Sequence, residues 1–177
     1  MRRSFLQTHS LVLVVYGMIL VLMIIGAINS ERFLSIRNLT NVLRQAAYLG
    51  TAALGEMLVI LTAGIDLSIG SLVKLSVLVS AILMDGNPDN VWIAVILTLV
   101  MGLVVGLIHA FLINEFNLSP FVVTFASLFI LQGISLTITT KPIGRASRDF
   151  LMLYSQKFLG VPIIVYYFIF ITLLIMF

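Results

Sequence analysis

The 177-residue chain is 61% hydrophobic and 10% charged, with a mean hydropathy of +1.20 and a net charge of +3. Soluble domains are about half apolar and roughly a quarter charged, so this composition excludes a soluble globular domain and reads as a membrane protein. Seven acids and ten bases are too few for a nucleic-acid surface, and the absence of cysteine excludes a disulfide frame, a thiolate metal site and a cysteine nucleophile.

The first apolar run, Leu11 to Ile28, is longer than the ~7–15 residues of a cleavable signal core, and no small-x-small cleavage site follows it. It reads as a retained first transmembrane helix. Residues 29–45 are polar, with Glu31, Arg32, Arg37 and Arg44, while Ile36, Leu39, Val42 and Leu43 recur near helical spacing. That pattern predicts a short amphipathic helix lying at the interface.

Residues 46–84 carry only Glu56, Asp66 and Lys74 as charges. One straight helix of that length would rise ~58 Å at ~1.5 Å per residue, nearly twice a ~30 Å hydrocarbon core. The run is therefore expected to break, with helices over 46–63 and 71–84 joined by a non-helical turn between Gly64 and Gly70. The second arm rises just ~21 Å, which puts the bend partly inside the membrane. "DGNPDN" at 85–90 is a turn, 91–113 spans, "NEFNLSP" turns, and 121–139 spans again. Residues 141–161 form a longer polar connection. The last run, 162–177, rises ~24 Å, short of a full crossing, and is expected to be a sixth helix cut off before its end. The fold class expected is all-α: a polytopic transmembrane bundle of about six helices, forming a single domain over 1–177.

The order of motifs identifies a family. "RNLTNVLRQAA", "ALGEMLVILTAGIDLSIGS", "GLVVGLIHAFLINEFNLSPFVVTFASLFILQGISL" and "KPIG" follow one another in a way that resembles the permease subunit of ribose-type, binding-protein-dependent ABC importers of sugars and related polyols. The match is good over 33–144. The family's Gly-Gly-Ile-Asp-Leu-Ser-Val-Gly-Ser run is here Ala63-Gly64-Ile65-Asp66-Leu67-Ser68-Ile69-Gly70-Ser71, with alanine replacing the first glycine. The Pro-Phe-Ile-Val-Thr-Leu run appears as Pro120 to Phe125, and the usual Asn-Gly pair before it is His109-Ala110. The resemblance implies an N-terminal half of a permease. It lacks the cytoplasmic coupling loop that follows the sixth helix, and is expected neither to import sugar nor to hold the ATPase alone. The implied partners are an ATP-binding subunit, a periplasmic substrate-binding protein, a second permease copy and the lipid bilayer of a bacterial inner membrane; no cofactor is implied.

Several residues are candidates for function. Gly64, Asp66, Ser68, Gly70 and Ser71 make a broken-helix motif of the kind that lines transport paths. Asp66 is expected mainly to cap the second arm, with substrate contact as the alternative. Glu56 and Lys74 lie on opposite arms and are expected to pair, the alternatives being Lys74 with Asp66 or a snorkelling Lys74 with Glu56 protonated. His109, Pro120, Phe121 and Thr124 belong to a path or to packing, and for His109 a hydrogen-bonded buried role is preferred to proton coupling. Gly102, Gly106 and Ala110, like Ala47, Thr51 and Gly55, are small-residue stripes that suit close helix packing. No Walker A pattern occurs, so ATP chemistry must reside in another chain and this chain is no enzyme. An ion- or proton-coupled secondary transporter using Glu56, Asp66 and His109, and a non-functional truncated remnant, are the alternatives.

The family orientation puts the N-terminus in the cytoplasm and 29–45 and 141–161 outside. Counting bases gives Arg2 and Arg3 inside against Arg32, Arg37, Arg44, Lys141, Arg145, Arg148 and Lys157 outside, the reverse of the positive-inside rule. The family orientation is kept, because the coupling loop must be cytoplasmic and Arg2-Arg3 adjoin the first helix.

Overall fold

The structure is a computed structural model and describes residues 10–176; Arg2 and Arg3 lie outside them. The described residues fall into two units divided between Ala46 and Ala47. The helices are α1 (Ser10–Asn29), α2 (Ile36–Leu61), α3 (Ile69–Met84), α4 (Val91–Glu115), α5 (Pro120–Ile138), α6 (Arg148–Ser155) and α7 (Ile163–Met176), with a 3-10 turn at Pro88–Asn90. By length and composition, Leu11–Asn29, Pro88–Glu115 and Pro120–Ile138 are long and apolar enough to cross a membrane, and Ile69–Met84 and Ile163–Met176 are shorter apolar helices. The chain is a multi-pass, all-α membrane protein.

In the first unit α1 is followed by a turn in which Ser30 N donates to Gly26 O (3.1 Å) and Phe33 N to Ser30 O (3.0 Å). Ser35 then starts α2: its Oγ accepts from Asn38 N at 3.3 Å, and its carbonyl takes the first helical bond from Leu39, as an N-cap serine does. The polar segment beyond Ser35 is thus the first part of α2 and not a separate interfacial helix. The 26 residues of α2 rise ~39 Å, more than a ~30 Å hydrocarbon core; its arginines, Arg37 and Arg44, lie in its N-terminal third.

In the second unit α3 packs against both α4 and α5, and these pack on each other. Leu75 and Met84 of α3, Ala94 of α4, and Val123 and Leu131 of α5 are the buried apolar side chains at this contact. Outward-facing residues of α4 and α5, such as Leu103, Leu107, Val122 and Ile130, remain exposed, as expected where lipid or further helices replace water. The C-terminal end of α3 is closed from two sides. Asn90 Nδ2 donates to Leu83 O at 2.9 Å. The segment after α5 returns so that Arg145 N bonds Ala81 O and Gly86 N bonds Arg145 O, both at 3.0 Å. Gly144 makes this approach possible: it has φ +71, and a Cβ there would overlap the Ala81 carbonyl.

The 141–161 connection holds more structure than its polarity implied. Ser147, fully buried, caps α6 by accepting from Phe150 N at 3.2 Å, and Asp149 in the first turn suits the helix dipole. Lys157–Phe158 pairs antiparallel with Val161–Pro162 across Leu159 and Gly160, both at positive φ, the geometry of a two-residue hairpin turn. The helix count of seven among the described residues differs from the sequence expectation in part through α6.

Candidate functional site: the helix break and the start of α5

The run 46–84 is broken as its length required. Helix α2 ends at Leu61 and α3 begins at Ile69. The stop is a Schellman closure: Ala63 N donates to Ile60 O at 2.9 Å and Gly64 N to Val59 O at 3.0 Å. Ala63, not Gly64, adopts the left-handed conformation, with φ +59. Gly64 is needed for space instead. A Cβ there would lie 3.0 Å from Val59 Cγ1, 3.3 Å from Val59 O and 3.6 Å from Pro120 Cβ. Gly70 and Ser71 fall within the first turn of α3 rather than in the break.

Asp66 organises the re-entry into α3 without capping it in the expected way. Its Oδ1 accepts from Ser68 N at 2.7 Å and from Ser68 Oγ at 2.6 Å, an aspartate turn onto its own backbone. Ser68 is fully buried, and its carbonyl accepts the first helical bond of α3 from Leu72 N at 2.9 Å. Its hydroxyl is turned toward Asp66 and makes no cap bond to α3. Asp66 therefore fixes the residue that starts the helix, and leaves the first amides of α3 uncapped by either side chain.

Glu56, ten residues back on α2, reaches the same loop. Its Oε1 accepts from Asp66 N at 3.2 Å. Its Oε2 is buried and has no hydrogen-bond partner among the described residues. The expected Glu56–Lys74 ion pair does not form, and Lys74 does not pair with Asp66 either. Lys74 is exposed and lines a cavity of about 410 Å³ between α3 and α5, with Ser135, Thr139 and Lys141.

The second sequence block arrives from α5. Pro120 is its first residue, where a missing N–H costs nothing and the fixed φ suits a helix start. Its ring lies against Gly64. One turn on, the buried Thr124 hydroxyl lies 3.0 Å from Ile65 O and 2.9 Å from Pro120 O, so its single proton is shared between the break and its own helix. Phe121, half exposed, stacks on Phe125 (centroids 5.7 Å apart), and Phe125 meets Phe129 edge-on at 5.0 Å. His109 lies elsewhere, buried on α4, with Nε2 2.7 Å from Ser127 Oγ of α5. It links two helices and does not join the break. Among the described residues, no cluster of three His, Cys, Asp or Glu could hold a metal.

Two blocks far apart in the chain thus meet: residues 63–68 of the break and Pro120 with Thr124. Irregular backbone at membrane depth must find its hydrogen bonds in protein or water, and here Glu56, Asp66 and Thr124 supply them. Residues 38–177 match the model of a family described as a branched-chain amino acid transport system / permease component. The chain belongs to this permease family. The permease is 32% identical over 167 residues to the D-allose transport system permease protein of Escherichia coli, covering 92% of this chain and 51% of that protein. It is 35% identical over 146 residues to the ribose import permease protein of Bacillus subtilis, covering 81% and 45%. Against the galactose/methyl galactoside import permease protein of Escherichia coli the figures are 35% over 132 residues, 68% and 39%. The chain spans about half the length of the curated relatives it matches, or less. No solved structure matches it. The family is described as one of transport-system permease components.

Proposed function

We propose that the chain supplies membrane-spanning helices of the permease of an ABC importer that moves a sugar or related small polar solute across a bacterial inner membrane. A separate ATP-binding subunit powers it, a periplasmic binding protein delivers the solute, and a second permease copy completes the path. The observation that carries this reading is the packing of the break against the start of α5, in a chain whose curated relatives are sugar import permeases. A helix interrupted within an apolar run leaves amides at the start of α3, and such half-helix ends meet polar solutes in transporters. Asp66, Ser68 and Glu56 hold that shape. Gly70 and Ser71, in the first turn of α3, and Phe121, at the start of α5, border it.

The secondary-transporter alternative gives Glu56, Asp66 and His109 coupling roles. His109 bonded to Ser127, away from Glu56 and Asp66, speaks against a shared site. Membrane vesicles carrying a complete permease that includes these helices, with its candidate ATPase and binding protein, are the test. Uptake of labelled D-allose, D-ribose or D-galactose is expected to require ATP and the binding protein. Uptake driven by an ion gradient with the ATPase left out would overturn the proposal.

A further inference from the structure

Away from the break, the connection after α5 forms a second concave site. α6, the start of α7 and Tyr48 of α2 enclose a cavity of about 300 Å³ lined by Tyr48, Phe150, Leu153, Tyr154, Gln156 and Tyr167, among others. Tyr48 and Tyr154 stack with ring centroids 5.5 Å apart and planes 9° from parallel. The volume is at the lower end of ~300–1,000 Å³, the usual range for small-molecule sites, which combine apolar and aromatic walls with a few polar groups.

The polar groups distinguish this cavity from a packing defect. Among the described residues, the Tyr48 and Tyr167 hydroxyls and the Gln156 side-chain amide make no hydrogen bond. Neighbouring Tyr166 spends its hydroxyl on Phe158 O at 3.0 Å. Three tyrosine rings thus wall a space into which two hydroxyls and an amide can reach. A solute with one apolar face and a rim of hydroxyls matches both features: its C–H face packs on a ring, and its hydroxyls exchange bonds with the tyrosines and Gln156. None of the residues that line it is charged, so an ion has no counter-charge in the lining, and a lipid chain would leave the amide unpaired.

We propose that this aromatic cavity is a binding site for a neutral monosaccharide ring, separate from the helix break. The inference rests on the import reading for the class of solute, and concerns weak capture next to the membrane rather than passage through it.

The test is saturation-transfer NMR on the 177-residue chain in nanodiscs, with D-galactose and D-allose as probes and acyclic galactitol as control. Transfer to ring protons of at least one sugar is expected, with little to galactitol, which has hydroxyls but no rigid face. Tyr154→Leu should weaken it about threefold or more through loss of a ring contact, while Tyr154→Phe should retain most of it. Gln156→Leu, at an exposed side chain without hydrogen bonds, should also weaken it while leaving the helical circular-dichroism signal unchanged. No transfer from the wild-type chain, equal transfer to galactitol, or unaltered transfer in both Tyr154→Leu and Gln156→Leu would overturn the proposal. The uptake assay separates the two readings. Uptake without ring transfer rejects this site alone, and ring transfer without ATP-dependent uptake rejects the importer and leaves the site.

Discussion

The hydroxyl of Thr124 sits 3.0 Å from the carbonyl oxygen of Ile65, so the first turn of α5 hydrogen-bonds the middle of the helix break. Replacing it tests whether α5 stabilises the break. Thr124→Val keeps the shape and leaves the Ile65 carbonyl short of a donor, a change worth roughly 1–3 kcal/mol for a buried group. Unfolding of purified protein in detergent, followed by circular dichroism, should show the loss in Thr124→Val and not in Thr124→Ser.

Ala63 occupies a conformation that disfavours any side chain with a Cβ. Its φ of +59 costs an L-residue roughly 1–2 kcal/mol, and the position is the one at which helices prefer glycine. Ala63→Gly should therefore stabilise the protein, by about 1 kcal/mol after glycine's greater chain entropy is subtracted. Gly64→Ala should do the reverse, because its Cβ would press on Val59 and Pro120. A higher unfolding midpoint for the first variant and a lower one for the second is the expected pair.

Asp66 is held in place by what its Oδ1 accepts, and an asparagine oxygen can accept the same two bonds. Asp66→Asn should keep membrane level and uptake close to wild type. Asp66→Ala should lose both, since Ser68 N and Oγ are then unpaired at a buried residue, at a cost of roughly 1–3 kcal/mol. Quantifying membrane-inserted protein beside sugar uptake distinguishes these cases. Normal insertion with abolished uptake in Asp66→Asn would mean that the charge itself meets the solute.

Glu56 and Lys74 provide a negative control. Their charges do not pair, so a double-mutant cycle of Glu56→Gln and Lys74→Met should give a coupling energy within the ~0.3–0.5 kcal/mol scatter of independent sites.

The position of the break was legible in the sequence, because a run of that length cannot cross a membrane straight. Its chemistry was less so. Gly64 looked like the helix stop, yet the left-handed residue is Ala63, and nothing in the alanine announces it. The clue lay in the resemblance, where the family carries glycine at that position. The polar stretch after Asn29 suggested a separate helix, since composition changes at Ala46 while the backbone does not. Periodicity shows which residues share a face, but not which faces meet, so the attachment of Glu56 to Asp66 N and the isolation of Lys74 were out of reach. The Ser147 cap with Asp149 two residues on was a readable helix start within 141–161, hidden by the polarity around it.

The contact of Gly144 with the Ala81 carbonyl has a consequence for biosynthesis. The end of α3 is finished by Gly144 and Arg145, which leave the ribosome only after α4 and α5 have been made. Until then the turn at Gly86 lacks its partner, and the end of α3 is closed from the Asn90 side alone. A bulky residue at 144 would thus do its damage late, after insertion, and would show as assembled helices that remain open to protease at the turn between α3 and α4.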